Sequence, residues 1–124
     1  MSEAGFIPTL YLKAGCPFCL KVRLFLLESG QLGEVSIREF STGTPEEAEI
    51  RGVLAPVLEK VSFPTAELSP GKYLADSDGI VAHFAAKAGV DPAELPTYSS
   101  YMDGVFQRLR TLFKENQELK SRLS

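Results

Sequence analysis

Tryptophan is absent, histidine occurs once and cysteine twice in this chain of 124 residues. Two cysteines as close as Cys16 and Cys19 cannot build the disulfide framework of a small secreted domain, which needs more of them at wider spacing. A reducing, cytoplasmic location is expected. Met1-Ser2-Glu3-Ala4 has no basic region leading into an apolar stretch, so no export is expected either. Long hydrophobic runs are also missing. The longest, Leu24-Phe25-Leu26-Leu27, falls far short of the roughly 20 residues that span a bilayer, and no membrane partner is expected. A basic excess is lacking too: 13 Lys and Arg face 16 Asp and Glu, a formal charge of −3. That balance excludes the electrostatic footprint of a nucleic-acid binder. The charge is uneven, with five basic and two acidic side chains in residues 104–124 against eight and fourteen in the rest. A solvated helix face accounts for this more simply than an acidic partner does.

What is present is ordinary for a globular chain, 44% hydrophobic and 23% charged, and its length suits one domain. Ile7 to Lys13 reads as a strand ended by Ala14-Gly15. A helix follows from Pro17 to Ser29, with Phe18, Val22, Phe25 and Leu26 at helical spacing and Gly30 as its stop. Val35, Ile37 and Phe40 mark a second strand, Arg38 and Glu39 its wet side. Thr44-Pro45-Glu46-Glu47 predicts a capping box, with Thr44 on the amide of Glu47 and Glu47 reaching back. That helix runs toward Leu54, before Pro56. Phe63 to Leu68 is a third strand, Ser69-Pro70-Gly71 a turn, and Lys72-Tyr73-Leu74 an antiparallel fourth strand. Asp76-Ser77-Asp78-Gly79 opens a helix with Ile80, Phe84 and Ala88 inward and Gly89 as its end. Residues 91–97, with two prolines, form a linker to a last helix running from Tyr98 toward Leu119.

The order β-α-β-α-β-β-α, with the first two strands parallel by the right-handed crossover rule, predicts an α/β fold around a four-stranded mixed sheet plus one extra C-terminal helix. Residues 1–90 form the domain, 91–97 the linker and 98–124 the added helix. Met102, Val105, Leu109, Leu112, Asn116, Leu119 and Leu123 alternate at three and four residues along that helix. A homodimer through this seam, with polar Asn116 setting register, is one reading. Packing of most of the stripe on the chain's own domain, with Phe106 and Phe113 alongside, is the simpler one.

Cys16-Pro17-Phe18-Cys19 falls where the first strand meets the first helix. Pro17 suits the first helical position, which makes Cys16 the capping residue beside unsatisfied amides and the positive end of the helix dipole. Such a site favours thiolate and lowers a cysteine pKa to about 3.5–7.5. Lys13 adds a nearby positive charge. Cys19, one turn in, is the more enclosed thiol and is placed to close a disulfide. A zinc site would need about four ligands, and the chain offers only His83 and carboxylates beyond this pair, so no metal is expected. Two inert core cysteines are the other bland reading; strand-then-helix placement favours redox use over both. His83, mid-helix, reads as structural or surface.

Lys13-Ala14-Gly15-Cys16-Pro17-Phe18-Cys19 resembles the glutaredoxin active site, usually Cys-Pro-Tyr-Cys with a lysine three positions earlier. Cys19-Leu20-Lys21-Val22-Arg23 is similar to the glutathione-transferase-like branch of that family. Ser62-Phe63-Pro64 stands where these families carry a cis-proline facing the active cysteine. Leu74-Ala75-Asp76-Ser77-Asp78-Gly79-Ile80 resembles the Glu-Ser turn of transferase N-terminal domains. The resemblance covers about residues 7–90 and implies a thioredoxin-like fold and a glutathione-dependent disulfide oxidoreductase. Cys16 and Cys19 would be catalytic, with glutathione the co-substrate and glutathionylated or disulfide-bonded proteins the partners. Glutathione would lie against Lys13, Phe18, Phe63, Pro64, Asp76, Ser77 and Asp78. Phe63 would pair with its cysteinyl backbone, Ser77 and its helix N-terminus would seat the γ-glutamyl carboxylate, and Asp76 or Asp78 would meet the α-amino group. Lys13, or less directly Lys60, would bind the glycine carboxylate. On the cap signal alone, Asp76 and Ser77 read equally well as a helix start. A cis Pro64 comes from the resemblance alone, because only about 5–6% of X–Pro bonds are cis.

The chain departs from the usual pattern in Ser62-Phe63, where glutaredoxins carry Thr-Val, and in Ala75-Asp76, where standard ones carry Gly-Gly. The second change favours the transferase-like version. The Trp-Cys-Gly-Pro-Cys motif of thioredoxins is absent. Two alternatives remain at this point: a transferase-like activity, or a glutathione-binding and dimerisation module holding an iron-sulfur cluster between two Cys16 thiolates.

Overall fold

Alternation along the first strand decides the layering. In the computed structural model, which describes residues 5–123, Leu10 and Leu12 point to one face and Tyr11 to the other, and all three are buried. A strand buried on both sides must be covered twice. This strand, β1 (Thr9–Lys13), lies inside a four-stranded sheet whose other members are β2 (Ser36–Phe40), β3 (Thr65–Ser69) and β4 (Lys72–Leu74), in the order β2-β1-β3-β4. β1 runs parallel to β2, with Leu10 opposite Ile37, and antiparallel to β3, with Leu10 opposite Ala66. β3 and β4 are antiparallel, with an irregularity at Glu67 and Ser69.

Two helices, α1 (Pro17–Glu28) and α3 (Ser77–Ala88), cover the Leu10 face. Their Val22, Phe25, Leu26, Ile80 and Phe84 join Leu10, Leu12 and Ala66 in the main core. The opposite face carries α2 (Pro45–Leu54), whose Ile50 and Leu54 pack on Tyr11 and Phe40. The side-chain amide of Gln31, itself buried, donates to the Phe84 carbonyl at 3.1 Å and ties the end of α1 to α3. Gly89 ends α3 in the left-handed conformation, φ 67°, which a side chain would resist. This is the α/β arrangement expected, with its mixed sheet.

Several local expectations are corrected. The first strand begins at Thr9, because Pro8 has no N–H for the ladder and Ile7 is exposed. The third begins at Thr65 for the same reason at Pro64 and runs to Ser69. The capping box at α2 is rearranged. The Thr44 hydroxyl donates to the Ser41 carbonyl at 2.6 Å, and the Glu47 carboxylate accepts from the N–H of Gly43 instead of Thr44. On α3 the inward positions are Ile80, Val81, Phe84 and Ala85; Ala88 is exposed.

The C-terminal region departs most. The stretch expected as linker contains a 3₁₀ turn at Pro92–Glu94, and helix begins at Pro96. The single last helix is two, α4 (Pro96–Asp103) and α5 (Val105–Leu123), broken at Gly104 (φ −117°, ψ −88°). Leu95, at the α4 N-cap, offers no side-chain acceptor. Glu28 of α1 takes over that task across 69 and 70 residues, accepting from the amides of Thr97 at 3.0 Å and Tyr98 at 2.6 Å. Tyr98 also packs edge-on against Phe25, centroids 5.5 Å apart. The stripe on α5 does not pack on the domain as expected. Phe106 is buried, but Val105, Leu112, Phe113, Leu119 and Leu123 are exposed.

Phe25→Ala should lower unfolding free energy by about 3–5 kcal/mol, the usual range for emptying a buried aromatic site. Leu27→Ala, at an exposed position of α1, should leave it nearly unchanged. Urea denaturation midpoints distinguish the two.

Candidate active site

β1 delivers the chain to the site and Gly15 turns it. With φ 79°, Gly15 takes a conformation unfavourable to other residues and aims Cys16 at the opening of α1. Cys16 is extended (φ −92°, ψ 123°) as the N-cap, with Pro17 first in the helix. Its Sγ is half-buried and in the reduced state, as is the buried Sγ of Cys19. The amide of Lys13 donates to Cys19 Sγ at 3.3 Å, fixing the inner sulfur against the end of β1.

The two thiols have opposite acidities. The pKa of Cys16 is lowered to about 6, chiefly by a hydrogen bond from the Cys19 thiol; the N–H groups of Cys19 and Phe18 and the charge of Lys13 add to this against the cost of burial. Those amides are turned toward the sulfur without forming a helix cap. Cys19 is pushed far up, first because its proton serves Cys16 and then by burial. At neutral pH the outer sulfur is a thiolate and the inner one a thiol. Helix amides and Lys13, the causes apparent from sequence, act behind the neighbouring thiol.

Cys16 opens on two adjoining hollows. The larger, about 410 Å³, is lined by Lys13, Cys16, Phe18 and Phe63 together with Arg51, Arg110 and Phe113. The smaller, about 260 Å³, lies between Cys16, Arg23, Glu39, Tyr101 and Leu109. The Phe63–Pro64 peptide bond is cis and Pro64 is buried. The Phe63 ring packs edge-on against Phe40 at 4.7 Å, with the Arg51 guanidinium 5.3 Å from its centroid. Four of the residues singled out in the sequence, Lys13, Cys16, Phe18 and Phe63, thus share one hollow.

Asp76, Ser77 and Asp78 lie at the start of α3 and outside the lining of both hollows. Asp76 is the N-cap, its carboxylate accepting from Gly79 at 3.2 Å. Ser77 is buried and accepts from the ammonium of Lys21 at 3.2 Å, while Asp78 forms an ion pair with the same ammonium. Asp78 is therefore already committed to a cation of the chain. Lys60 is exposed. His83 is exposed against the edge of Phe84, and burial of part of the ring lowers its pKa. Among the described residues no three His, Cys, Asp or Glu gather as a metal site.

Sequence reasoning missed three features of this region. Lys21 is 3% exposed; its position on the same face as Phe18, Val22 and Phe25 was the available signal. Tyr101 donates its hydroxyl to the Pro17 carbonyl at 2.9 Å, and burial together with the charge of Cys16 raises its pKa. Phe106 stacks edge-on against Phe18 at 5.2 Å and has the Lys21 ammonium 5.3 Å from its centroid. These contacts bring α5 to the rim of the site, where Leu109, Arg110 and Phe113 complete its wall.

A family model described as glutathione S-transferase, N-terminal domain, matches residues 10–93. The chain belongs to that family. The match spans Cys16, Cys19, Phe63, Pro64, Asp76 and Ser77, while α4 and α5 lie beyond it. Among solved structures the chain is similar to a glutathione transferase Omega 2C from Trametes versicolor, with 24% identity and a TM-score of 0.47. The alignment covers 79% of this chain and 47% of that one, so the chain spans about half the length of that transferase. No match was found among curated proteins. The sheet order and flanking helices are those of a thioredoxin-like transferase N-terminal domain.

The rate of Cys16 alkylation should rise through a midpoint near pH 6 and level off above it, as the thiolate is the reactive form. Cys19→Ser exchanges the donating thiol for a hydroxyl. It should move that midpoint measurably, whereas Lys13→Met should raise it only slightly. Iodoacetamide kinetics against pH provide the check.

Proposed function

We propose that the protein is a glutathione-dependent thiol-disulfide oxidoreductase. The observation that carries this reading is the Cys16 thiolate, held ionised by the Cys19 thiol at the mouth of a hollow of about 410 Å³. Cys16 attacks the glutathionyl sulfur of a protein mixed disulfide. The protein sulfur leaves as thiolate and takes a proton from solvent. A second glutathione thiolate then attacks the sulfur of glutathione bonded to Cys16, releasing oxidised glutathione and restoring the Cys16 thiolate. With a protein disulfide, Cys16 forms a mixed disulfide with one protein sulfur and expels the other as thiolate, which takes the proton of Cys19. Cys19 then attacks Cys16 and expels the first protein sulfur as a thiolate that takes a proton from solvent. Two glutathiones reduce the resulting Cys16–Cys19 disulfide and leave as oxidised glutathione.

Glutathione lies along Phe63-Pro64, its cysteinyl backbone on the main chain of Phe63 and its glycine carboxylate near Lys13. Phe18 closes the floor of the hollow. The γ-glutamyl carboxylate is directed to Ser77 and the amides opening α3, and the α-amino group to Asp76, because Asp78 already holds Lys21. In this reading residues 1–90 are the redox domain, and α4 and α5, which follow from Pro96, are a helical addition to it. Its setting is the reducing cytoplasm and its partners are glutathionylated or disulfide-bonded proteins.

The apolar wall of Leu109 and Phe113 across from Cys16 favours a second reading, a transferase-like attack on apolar electrophiles. Turnover of an aromatic chloride with glutathione, without any disulfide reduced, would select it.

Cys16→Ser should abolish glutathione-coupled reduction of a small mixed disulfide, and Cys19→Ser should keep that activity while losing reduction of protein disulfides. An unchanged Cys16→Ser overturns the reading. Ser77→Ala should raise the KM for glutathione about tenfold, the loss of one charge-assisted hydrogen bond, with kcat little affected.

A further inference from the structure

A row of apolar side chains on α5 has no cover among the described residues. Leu112 and Leu119 are 59% and 54% exposed, Val105 and Leu123 likewise open, and Leu109 is partly so at the rim of the active-site hollow. The face turned toward the domain adjoins this row at Leu109: Phe106 is buried, and Leu109, Arg110 and Phe113 line the hollow. The 19 residues of α5 form a rod about 28 Å long. Val105, Leu109, Leu112, Asn116, Leu119 and Leu123 recur along it at four, three, four, three and four residues, the spacing of a left-handed two-helix seam.

We infer that this seam pairs with the same seam on a second copy of the chain, parallel and in register. Asn116 selects the orientation. In a parallel pair it meets Asn116 of the second copy, and the two amides satisfy each other. In an antiparallel pair aligned end to end, Val105 against Leu123, it meets Leu112 and its polar atoms go unpaired in an apolar seam, a penalty the parallel pair avoids. The flanking charges select the same orientation. Glu115 precedes Asn116 and Lys120 follows Leu119, so a parallel pair sets Glu115 of each copy beside Lys120 of the other. End-to-end antiparallel pairing would set Glu115 against Glu115 and Arg108 against Arg122. Among the described residues neither Glu115 nor Lys120 has an ion-pair partner within its own chain.

Sedimentation equilibrium of the full chain tests this across about 1–500 µM, since association follows mass action. A monomer–dimer equilibrium is expected. Leu112→Asp/Leu119→Asp should leave monomer only; both side chains are exposed in the single chain, and an unchanged Cys16 alkylation profile shows that the fold persists. Glu115→Lys should weaken the dimer about tenfold by setting like charges together twice, and Glu115→Lys/Lys120→Glu should restore it. Asn116→Cys, in a Cys16→Ser/Cys19→Ser background, should oxidise to a dimer cross-linked through position 116. Four outcomes overturn the inference: monomer throughout the range, a dimer indifferent to Leu112→Asp/Leu119→Asp, no rescue by the charge exchange, or a monomer that binds vesicles of anionic lipid instead.

Discussion

One helical turn separates two sulfurs, and the inner thiol's proton beside the outer sulfur sets their opposite acidities. That placement requires Cys19 to be enclosed, which the core of Leu12, Val22 and Phe25 ensures, and Cys16 to stand at the helix opening, which Gly15 and Pro17 ensure. A proton held on the inner sulfur leaves the outer one as a thiolate. The fold around it consists largely of what keeps this arrangement in place: a strand buried on both faces, a crossover helix and a proline segment opposite.

Lys21 links two parts of the molecule. Its ammonium reaches Ser77 and Asp78 on α3 and lies over the ring of Phe106 on α5. A buried cation without partners would be costly; here two oxygens and an aromatic face share it. The same side chain therefore orders the start of α3 and seats the C-terminal helices beside the Cys16 cleft.

Much of this was legible in the sequence where local chemistry decides structure. The position of Pro17 after Cys16, the cap at Asp76 and the stop at Gly89 each correspond to a backbone requirement, and each stands where expected. The cap at Thr44 was not legible because its hydroxyl, expected to accept from the amide of Glu47, donates to the Ser41 carbonyl instead, and the Glu47 carboxylate takes the amide of Gly43. Lys21 escaped notice because charge suggests exposure, although its place on the apolar face of α1 argued otherwise. Tyr101 and Glu28 act across 84 and 70 residues, and spacing along the chain carries no signal for such pairs. The fate of the α5 stripe was misjudged for a further reason. An amphipathic pattern says that a face seeks cover but does not say whose.

The break at Gly104 has a geometric consequence of its own. Its carbonyl accepts from Arg108 while its amide donates to Ser100, both at 3.1 Å, so hydrogen bonding continues across it as the axis changes direction. A Cβ there would sit 3.2 Å from the Ser100 carbonyl oxygen. Helical phase is thereby reset between Met102, which packs toward the core, and Val105, which does not. A stripe continuous in the primary structure becomes two stripes with independent bearings, and one residue without a side chain separates the helix that closes the domain from the helix that walls the Cys16 hollow with one face and turns an apolar row outward with another.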